Sequence, residues 1–436
     1  NKNNNPHLLK ALNLLPLCPI LLLLFPQITQ SQTAPPDILI RVDTIIVEGN
    51  RKTRPALILR ELEFKAGDTL SLLTLPQTLE RNRLRIMNLG LFTSSTVTLD
   101  TIAGGNGLAV RFKVVEMWYI FPIPLFELAD RNFNVWWSEF NRSLKRVNYG
   151  ISWTHLNLTG NADILKANLN FGYTNRYEIV YERPWVNRRQ TLGLRAAFGF
   201  SRNHEVAYRT DANKQLFSVD QNAWQKQRYY ANVGVQWRPK LLTEHAFNLE
   251  YHQNKIADTI SRIVNPDFFL LGRTRQRHFS LVYRLSLDHR DIRPYPLSGW
   301  FARIELRQNG LLPSDDLHLF RAFAEYRKYF PFSRRISLET VFKGRLGLPR
   351  RQPPFFNNQA MGYGDNLVRG YEFFVMDGLD YGLVRSSLHI NLLDHQFNLQ
   401  KFVPLKAFQV MPIKIFLSVN NDAGYANDPY YGAGNP

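Results

Sequence analysis

The chain has 436 residues, of which 44% are hydrophobic, and a formal net charge of +18, so it is long enough for two or three domains. Its mean hydropathy of -0.28 and the lack of a long apolar run after the N-terminus argue against a helical membrane protein. The 30 Phe, 19 Tyr and 8 Trp are spread along the whole length. This combination favours either a transmembrane β-barrel, in which alternate residues face lipid, or an array of soluble β-sandwiches.

Residues 1–31 are predicted to be a signal peptide with cleavage before Gln32. A basic start precedes an apolar core, residues 12–25, that is too short to span a bilayer. Cys18, the only cysteine, lies inside this core, so the exported chain has neither a disulfide nor a thiolate metal site. Residues 32–37 are predicted to be a linker.

Export changes the meaning of the basic excess. A charge of this size often indicates a nucleic-acid partner, but an exported protein meets anionic outer-membrane lipid and lipopolysaccharide instead. Basic residues lie on the polar side of several predicted strands: Arg195, Arg284, Arg303 and Arg307. We therefore expect a solvated polar lumen without a specific ligand, and no nucleic-acid partner.

A small α+β domain is predicted over residues 38–116. The order is a strand, two helices and a β-hairpin, because period-two and helical spacings follow one another between turn residues. Thr53 is the predicted N-cap of the first helix, and Pro55 suits its first turn. The second helix is expected to stop at Gly90, and residues 104–107 to form the hairpin tip.

From about residue 120 the hydrophobic period becomes two and stays so, which predicts an antiparallel barrel over residues 117–436. A soluble sandwich rarely keeps one face so consistently apolar. About thirteen strands are expected, at 120–128, 147–154, 165–174, 177–183, 192–200, 229–237, 247–251, 279–287, 300–306, 320–328, 336–342, 384–392 and 413–419.

The lengths of the connections support this topology. If the α+β domain is periplasmic, the connections expected outside are long: 129–146, 203–227, 254–277 and 346–382. Those expected inside are short: 158–164, 184–190, 239–244 and 329–335. This asymmetry is typical of outer-membrane barrels, although the turn at 174–176 is short where an outer loop is expected.

An odd number of strands cannot close an antiparallel barrel with both ends in the periplasm. Residues 428–436 read as a loop, with no terminal aromatic strand. We therefore expect a barrel of the 16-stranded type, of which about three C-terminal strands lie beyond Pro436.

Several short motifs in the N-terminal domain carry a resemblance. They are Ile46-Val47-Glu48-Gly49-Asn50 with Thr53, the Gly67-Asp68 turn, Asn88-Leu89-Gly90-Leu91-Phe92 and Val114-Val115-Glu116. The domain thereby resembles a POTRA domain, with Gly49, Asn50, Thr53, Gly90 and Phe92 as its signature. POTRA domains receive client polypeptides, and an exposed sheet edge can bind an extended chain by strand addition. The alternative is a plain α+β domain that spaces or orients the barrel.

Three further motifs lie in the barrel: Leu287-Asp288-His289-Arg290-Asp291 with Pro296 and Gly299, Val368-Arg369-Gly370-Tyr371, and Asp422-Ala423-Gly424. With them the chain resembles the superfamily of BamA-type assembly factors, autotransporter-assembly translocases and two-partner-secretion transporters. The resemblance implies that Arg369 folds into the lumen and pairs with Asp422. It also implies that Gly370 permits a tight bend and that Tyr371 packs against the barrel wall.

No enzymatic motif is evident, so we expect no catalytic residue, no metal site and no cofactor. The resemblance implies a Gram-negative outer-membrane protein that binds unfolded outer-membrane or secreted polypeptides and assists their insertion or translocation. Accessory lipoproteins are further candidate partners.

Pro122 and Pro124 would weaken pairing along the first barrel strand, which suits a seam that opens laterally, although a bulged strand start would also contain them. The alternatives are a two-partner-secretion transporter of one dedicated client and a passive structural or pore barrel.

Overall fold

A four-stranded sheet and two helices form the N-terminal domain of the computed structural model, which describes residues 38–101, 107–130, 132–187, 189–220, 222–399 and 409–431. The elements are β1 (Leu39–Glu48), α1 (Pro55–Arg60), β2 (Thr69–Ser71), α2 (Leu75–Met87), β3 (Phe92–Thr101) and β4 (Gly107–Glu116). The strand order is β2-β1-β4-β3, with β1 and β4 parallel and the other pairs antiparallel.

The hydrophobic faces of these helices explain how the domain is held together. Leu57 and Ile58 of α1 and Ile86 of α2 are fully buried in one core with Val110 and Phe112 of β4. Burying such side chains contributes about 1.5–3 kcal/mol each. The predicted α+β order is confirmed, whereas the three-residue β2 was not predicted because it is too short to show a period.

Two details of the domain depend on turn chemistry. Pro55 begins α1 as predicted, but the N-cap is Arg54, which makes no side-chain cap hydrogen bond. The prediction for Thr53 was therefore wrong, and its hydroxyl is used elsewhere, as described below. Gly90 has a φ of 68°, a left-handed conformation that suits a residue just after a helix. The predicted signal peptide and linker and most of the hairpin tip lie outside the described residues.

Thirteen antiparallel strands form a single sheet after this domain, each bonded to its neighbour in chain order. Every one of the thirteen predicted segments overlaps one of these strands, so the barrel prediction is confirmed. They are β5 (Ile120–Leu128), β6 (Val147–Leu156), β7 (Ile164–Gly172), β8 (Thr174–Arg183), β9 (Leu192–Asn203), β12 (Lys226–Lys240), β13 (Thr243–Ile256), β14 (Arg275–Asp288), β15 (Gly299–Asn309), β16 (Leu319–Pro331), β17 (Ile336–Leu348), β20 (Asp380–Asn398) and β21 (Val410–Asn427).

The smaller elements lie in the connections. They are the hairpin β10 (Glu205–Asp211) and β11 (Lys214–Val219), the pair β18 (Gln359–Met361) and β19 (Met376–Asp377), α3 (Phe133–Ser138), the 3-10 turns Leu144–Arg146 and Phe355–Asn357, and a π-turn at Ile260–Val264. None of the helices among the described residues is long and apolar enough to span a membrane.

The two faces of the thirteen-stranded sheet differ in chemistry. One face exposes large apolar side chains such as Phe198, Val233 and Leu417. The other buries polar side chains such as Asn232 and Glu325. Strict alternation of this kind keeps the mean hydropathy low while it provides a lipid-compatible outer surface.

The four longest connections lie at one rim of the barrel, although the one-residue connection at Tyr173 also lies there, and most short connections lie at the opposite rim. The long ones are 129–146, 204–225, 257–274 and 349–379, and the short ones include 157–163, 184–191, 241–242 and 332–335. The N-terminal domain contacts the rim with the short connections, where the Arg54 amide donates to the Gly160 carbonyl at 3.0 Å. Residues 349–379, which we name the outer segment, begin at the opposite rim.

The strands β5 and β21 are the two edges of the sheet among the described residues. Pairing of β5 with β6 is regular along its whole length, including Pro122 opposite Trp153 and Pro124 opposite Ile151. The expected further strands stay a prediction.

Candidate functional site

The outer segment carries Arg369 to the inner face of β20 and β21, where it meets Asp422. The Arg369 backbone amide and its Nε both donate to Asp422 Oδ2, at 2.9 Å and 2.8 Å, and Nη2 donates to Oδ1. The Asp422 side chain is 1% exposed, whereas that of Arg369 is 35% exposed. The structure thus brings together the two residues that the family resemblance paired, in the bidentate geometry that a guanidinium favours.

Other polar groups of the same two strands complete the contacts of Arg369. Its Nη1 donates to the Ser387 hydroxyl at 2.9 Å and to the Asn420 side chain. Register explains the convergence, because Ser387 is opposite Asn420, and Arg385 is opposite Asp422. Side chains two residues apart along one strand point to the same face, and so do directly opposite side chains on adjacent strands. Asp422, Asn420, Ser387 and Arg385 therefore all line the lumen.

Arg385 is a second arginine at this carboxylate, and it was not among the residues predicted from the sequence. Its Nε lies 3.8 Å from Asp422 Oδ2, and its Nη2 donates to the carbonyls of Asp365 at 3.0 Å and of Leu367. Arg385 therefore links the strand carboxylate to the backbone just before Arg369. The alternation of β20 places it on the polar face, but only the register with β21 gives it a partner.

Two glycines allow the outer segment to lie close to β21, each for a different reason. Gly370 has a φ of 90° and no atom within 4 Å of an added Cβ, so its backbone conformation is what favours glycine. At Gly424 an added Cβ would lie 2.7 Å from Met361 Sδ and 3.0 Å from Val368 Cγ2. A residue without a side chain at 424 therefore lets the outer segment lie directly against β21.

Val368 and Tyr371 differ in how they contact the barrel. Val368 packs against a buried cluster that contains Met361, Tyr381 and Leu383. Tyr371 is 53% exposed, and its ring contacts Phe374 of the same segment at a centroid distance of 6.0 Å. The structure thus differs from the expectation that Tyr371 packs against the barrel wall, because its ring is exposed and contacts Phe374 of the outer segment instead.

A belt of ion pairs lines the lumen below the outer segment. Glu325 lies between Arg303 at 2.6 Å and Arg327 at 2.5 Å. Arg307 contacts Glu250 at 2.6 Å, and Arg284 contacts Glu305 at 2.8 Å. These pairs connect inward-facing residues of four neighbouring strands. They balance the charge of several arginines that were predicted to lie on the polar face.

The junction of the N-terminal domain and the barrel is polar and well packed. Thr53, which is 2% exposed, lies 2.9 Å from the Tyr119 hydroxyl and accepts from Asn157 Nδ2 at 2.9 Å. The amides of Lys52 and Thr53 donate to the Glu116 carboxylate at 3.1 Å and 2.7 Å. Although burial acts in the opposite direction, these bonds hold the pKa of Glu116 below its ordinary value.

A second contact joins α1 to the end of β12. Arg238 donates to both carboxylate oxygens of Glu61, at 2.7 Å and 2.9 Å, and Glu61 is 4% exposed. Arg60 lies 3.7 Å above the Trp185 ring. Burial and the neighbouring Arg238 lower the pKa of Arg60 to about 10, against the effect of Glu61. A carboxylate that is paired and buried in this way fixes the orientation of α1 on the barrel.

Other motif residues of the N-terminal domain stabilise the junction or the domain itself. Asn88 donates to the Asp291 carbonyl and accepts from the Arg293 amide, each at 3.2 Å. The motif that contains Asp288 thus lies against α2. Gly49 has a φ of 87°, and an added Cβ would lie 2.0 Å from the Val114 carbonyl oxygen. Asn50 donates to the Thr53 carbonyl at 2.9 Å, and Phe92 is buried.

Two of the sheet edges, at β3 and at β5, are relevant to the binding of another chain by strand addition. In the N-terminal domain β3 pairs with β4 on one side only, and its Thr96 and Thr98 are exposed. In the barrel, the carbonyl of Tyr119 and the amide of Ala129 bond to the chain of β6, so odd-numbered backbone groups of β5 face β6. The even-numbered backbone groups of β5 point away from β6. Pro122 and Pro124 therefore remove two hydrogen-bond donors from the edge of β5 that faces away from β6.

The described residues contain no group of three or more His, Cys, Asp or Glu side chains placed to hold a metal ion. The histidines instead make local contacts, as in the stacking of His289 on Trp300 at 4.3 Å.

A barrel with an apolar outer face, a polar lumen and one α+β domain at the rim with the short connections defines an outer-membrane protein with a periplasmic POTRA domain. A family model described as the Omp85 superfamily domain matches residues 157–378, and a POTRA model described as a surface antigen variable number repeat matches residues 40–117. The first match covers about half of the chain. The protein belongs to the Omp85 superfamily.

Several solved structures are similar. BamA from Haemophilus ducreyi lacking POTRA domains 1-3 has 15% identity and a TM-score of 0.46, over 88% of this chain and 71% of that chain. CdiB from Acinetobacter baumannii has 14% identity and a TM-score of 0.46, over 90% and 64%. CdiB from Escherichia coli has 11% identity and a TM-score of 0.49, over 89% and 70%. No curated protein matches the sequence.

Proposed function

We propose that this protein assists the insertion of unfolded polypeptides into the outer membrane of a Gram-negative bacterium, or their translocation across it, without enzymatic chemistry. Clients bind to the POTRA domain as an added strand and pass to the barrel. The observation that carries the proposal is the long edge of β3, which has ten residues and bonds to a partner on one side only among the described residues. Free backbone donors and acceptors along such an edge bind extended chains.

The barrel edge at β5 supports the second step. Because Pro122 and Pro124 remove donors from the edge that faces away from β6, a strand that pairs there gains fewer hydrogen bonds than along a regular strand. Each missing bond lowers the stability of that pairing by about 1 kcal/mol. A seam of this kind separates more readily than the rest of the sheet and can admit a client strand.

The paired Arg369 and Asp422 give the outer segment a fixed position inside the lumen. We assign them a structural role in keeping the lumen closed from outside while the client is handled. Outer-membrane lipid and lipopolysaccharide are expected to surround the barrel, and accessory lipoproteins remain candidate partners at the POTRA domain.

Site-specific photo-crosslinking tests the first step. A photoreactive residue at Thr96, exposed on β3, is expected to crosslink to unfolded outer-membrane or secreted polypeptides, whereas one at Gln77, exposed on α2, is the matched control. Equal crosslinking at both positions would contradict strand addition at β3.

Depletion of the protein distinguishes the functional classes. Loss of many barrel proteins from the outer-membrane proteome supports insertion. Loss of one secreted client indicates a dedicated two-partner-secretion transporter instead. An unchanged proteome and secretome would indicate a passive barrel and contradict the proposal.

A further inference from the structure

Four basic side chains line one cavity of 380 Å³ in the lumen, beneath the outer segment. They are Lys226 and Arg228 of β12, Arg321 of β16 and Arg345 of β17. The strands that provide them are separated by up to four others in the sheet, so the curvature of the barrel is what brings the four together. Polar groups of the outer segment, among them Asn357, Gln359 and Asn366, complete the lining.

No carboxylate of the described residues lies within ion-pair distance of these four cations, although Arg321 and Arg345 also border a neighbouring cavity that contains Glu305 and Asp365. The described residues include every Asp and Glu of the chain except Asp37, and within them none of the four forms an ion pair. The belt of ion pairs just below provides the contrast, because Glu250, Glu305 and Glu325 there each contact an arginine. The expectation of a solvated lumen without a specific ligand therefore fits the ion-paired belt. It does not fit the cavity with the four unpaired cations.

Within the described residues, the hydrogen bonds and ring contacts of these side chains are to neutral groups. Arg345 donates to the carbonyls of Gly378 at 2.7 Å and Leu379 at 3.1 Å. Arg321 donates to the Asn357 carbonyl, while its buried Nε has no hydrogen-bond acceptor among the described residues. Lys226 lies 4.5 Å above the Phe356 ring. Gathering like charges in a shielded place is unfavourable unless an anion compensates them.

We infer that this cavity binds a phosphate-type oxyanion, either inorganic phosphate or the phosphate group of a small solute. Guanidinium forks match the oxygens of such an anion, and the lysine adds a further charge. The amides of Asn357, Gln359 and Asn366 provide neutral donors from the outer segment. A phosphate offers two charges in a small volume to four cations, whereas a peptide carboxylate or a chloride ion offers one.

Anion binding would join β12, β16 and β17 to the same outer segment that Arg369 attaches to β20 and β21. The inference goes beyond the proposed function, since it assigns a ligand to the closed side of the lumen. A ligand that binds only this arrangement stabilises it by mass action.

Calorimetric titration of the purified full-length chain in detergent tests the inference. Sodium phosphate and pyrophosphate, added at constant ionic strength, are expected to bind saturably, whereas sodium chloride and sodium acetate are not. The double variant Arg321→Gln/Arg345→Gln should weaken phosphate binding about tenfold or more. Arg284→Gln, which removes a lumenal charge from the ion-paired layer, is the matched control and should retain the affinity within about threefold.

Folding of each variant is checked by its heat-dependent migration on a gel. If the double variant does not fold, Lys226→Gln, which removes one charge and changes only a ring contact with Phe356 among the described residues, is expected to weaken phosphate binding. Equal binding of acetate and phosphate would overturn the inference. So would unchanged phosphate affinity in the folded double variant, or in Lys226→Gln where that variant replaces it.

Discussion

The single carboxylate of Asp422 accepts hydrogen bonds from both the backbone amide and the side chain of Arg369. One buried acid therefore fixes the path of the main chain at residue 369 as well as the direction of its side chain. Such a contact orders a long connection that would otherwise gain little from a defined position. The contributions of the backbone and of the side chain of Arg369 can be separated, because a substitution at 369 still allows the hydrogen bond from the backbone amide to Asp422.

Replacing Arg369 should reveal these contributions. Arg369→Ala is expected to lower the stability of the outer segment by about 3 kcal/mol, because Asp422 would remain buried with one hydrogen bond and no counter-charge from that residue. Arg369→Lys keeps the charge but loses the fork, so a smaller defect is expected. Hydrogen exchange of the outer segment and complementation of a depleted strain measure both effects.

Arg351→Ala is the matched control, because Arg351 lies in the same segment with an exposed side chain. It should behave like the wild type in both assays. Normal assembly, exchange and complementation of Arg369→Ala would show that the contact with Asp422 has no role.

Gly424→Ala is expected to loosen the outer segment without a change of charge. The added methyl group would lie 2.7 Å from Met361 Sδ and 3.0 Å from Val368 Cγ2, so these side chains of the outer segment must shift away from β21. Overpacking of this kind costs about 1–3 kcal/mol. Gly382→Ala on β20 is the control, because no atom lies within 4 Å of its added Cβ. Limited proteolysis in the outer segment should increase for the first variant alone, and equal cleavage of both would contradict the steric explanation.

The periodicity of the sequence was sufficient to predict the barrel, because each lipid-facing strand repeats the same alternation. Strand β2 and the hairpin β10–β11 were missed, since short strands and strands inside connections show no such period. The pair of Arg369 and Asp422 came from motifs alone. Arg385 needed the register of β20 against β21, which brings residues 37 positions apart into one site and leaves no local pattern.

The contact of Glu61 with Arg238 was likewise invisible in the sequence, because each residue belongs to a different domain. A double-mutant cycle with Glu61→Gln and Arg238→Gln should give a coupling energy of about 1–3 kcal/mol, since Glu61 is 4% exposed and accepts two hydrogen bonds. The pair of Arg41 and Asp43, which is exposed on β1, is the control and should couple by less than about 1 kcal/mol.

Either single variant at Glu61 or Arg238 should also free the POTRA domain from its orientation on the barrel. Distances between spin labels on the POTRA domain and on the short connections are expected to broaden in these variants. A coupling energy no larger than that of Arg41 and Asp43, with unchanged distance distributions, would show that the junction is held by other contacts.

The acidity of Asp377 should make the outer segment less stable as the pH rises. This side chain of β19 is 1% exposed and accepts a hydrogen bond from the Tyr363 hydroxyl at 2.7 Å, and burial raises its pKa to about 6. A carboxyl whose pKa is higher in the folded state stabilises fully below its unfolded pKa, and this stability is lost as the pH rises through about 6. The change is on the order of 3 kcal/mol.

Asp377→Asn removes the ionisation but retains an acceptor for Tyr363, so at pH 7.5 the outer segment of the variant should be more stable than that of the wild type. At pH 4 the two should be alike. Hydrogen exchange of residues 359–377, corrected for intrinsic rates between pH 5 and 7.5, should show protection that falls in the wild type and stays constant in the variant. Asp211→Asn, exposed on the outer hairpin, is the control and should keep the slope of the wild type. A slope in Asp377→Asn equal to that of the wild type would assign the pH dependence to another group.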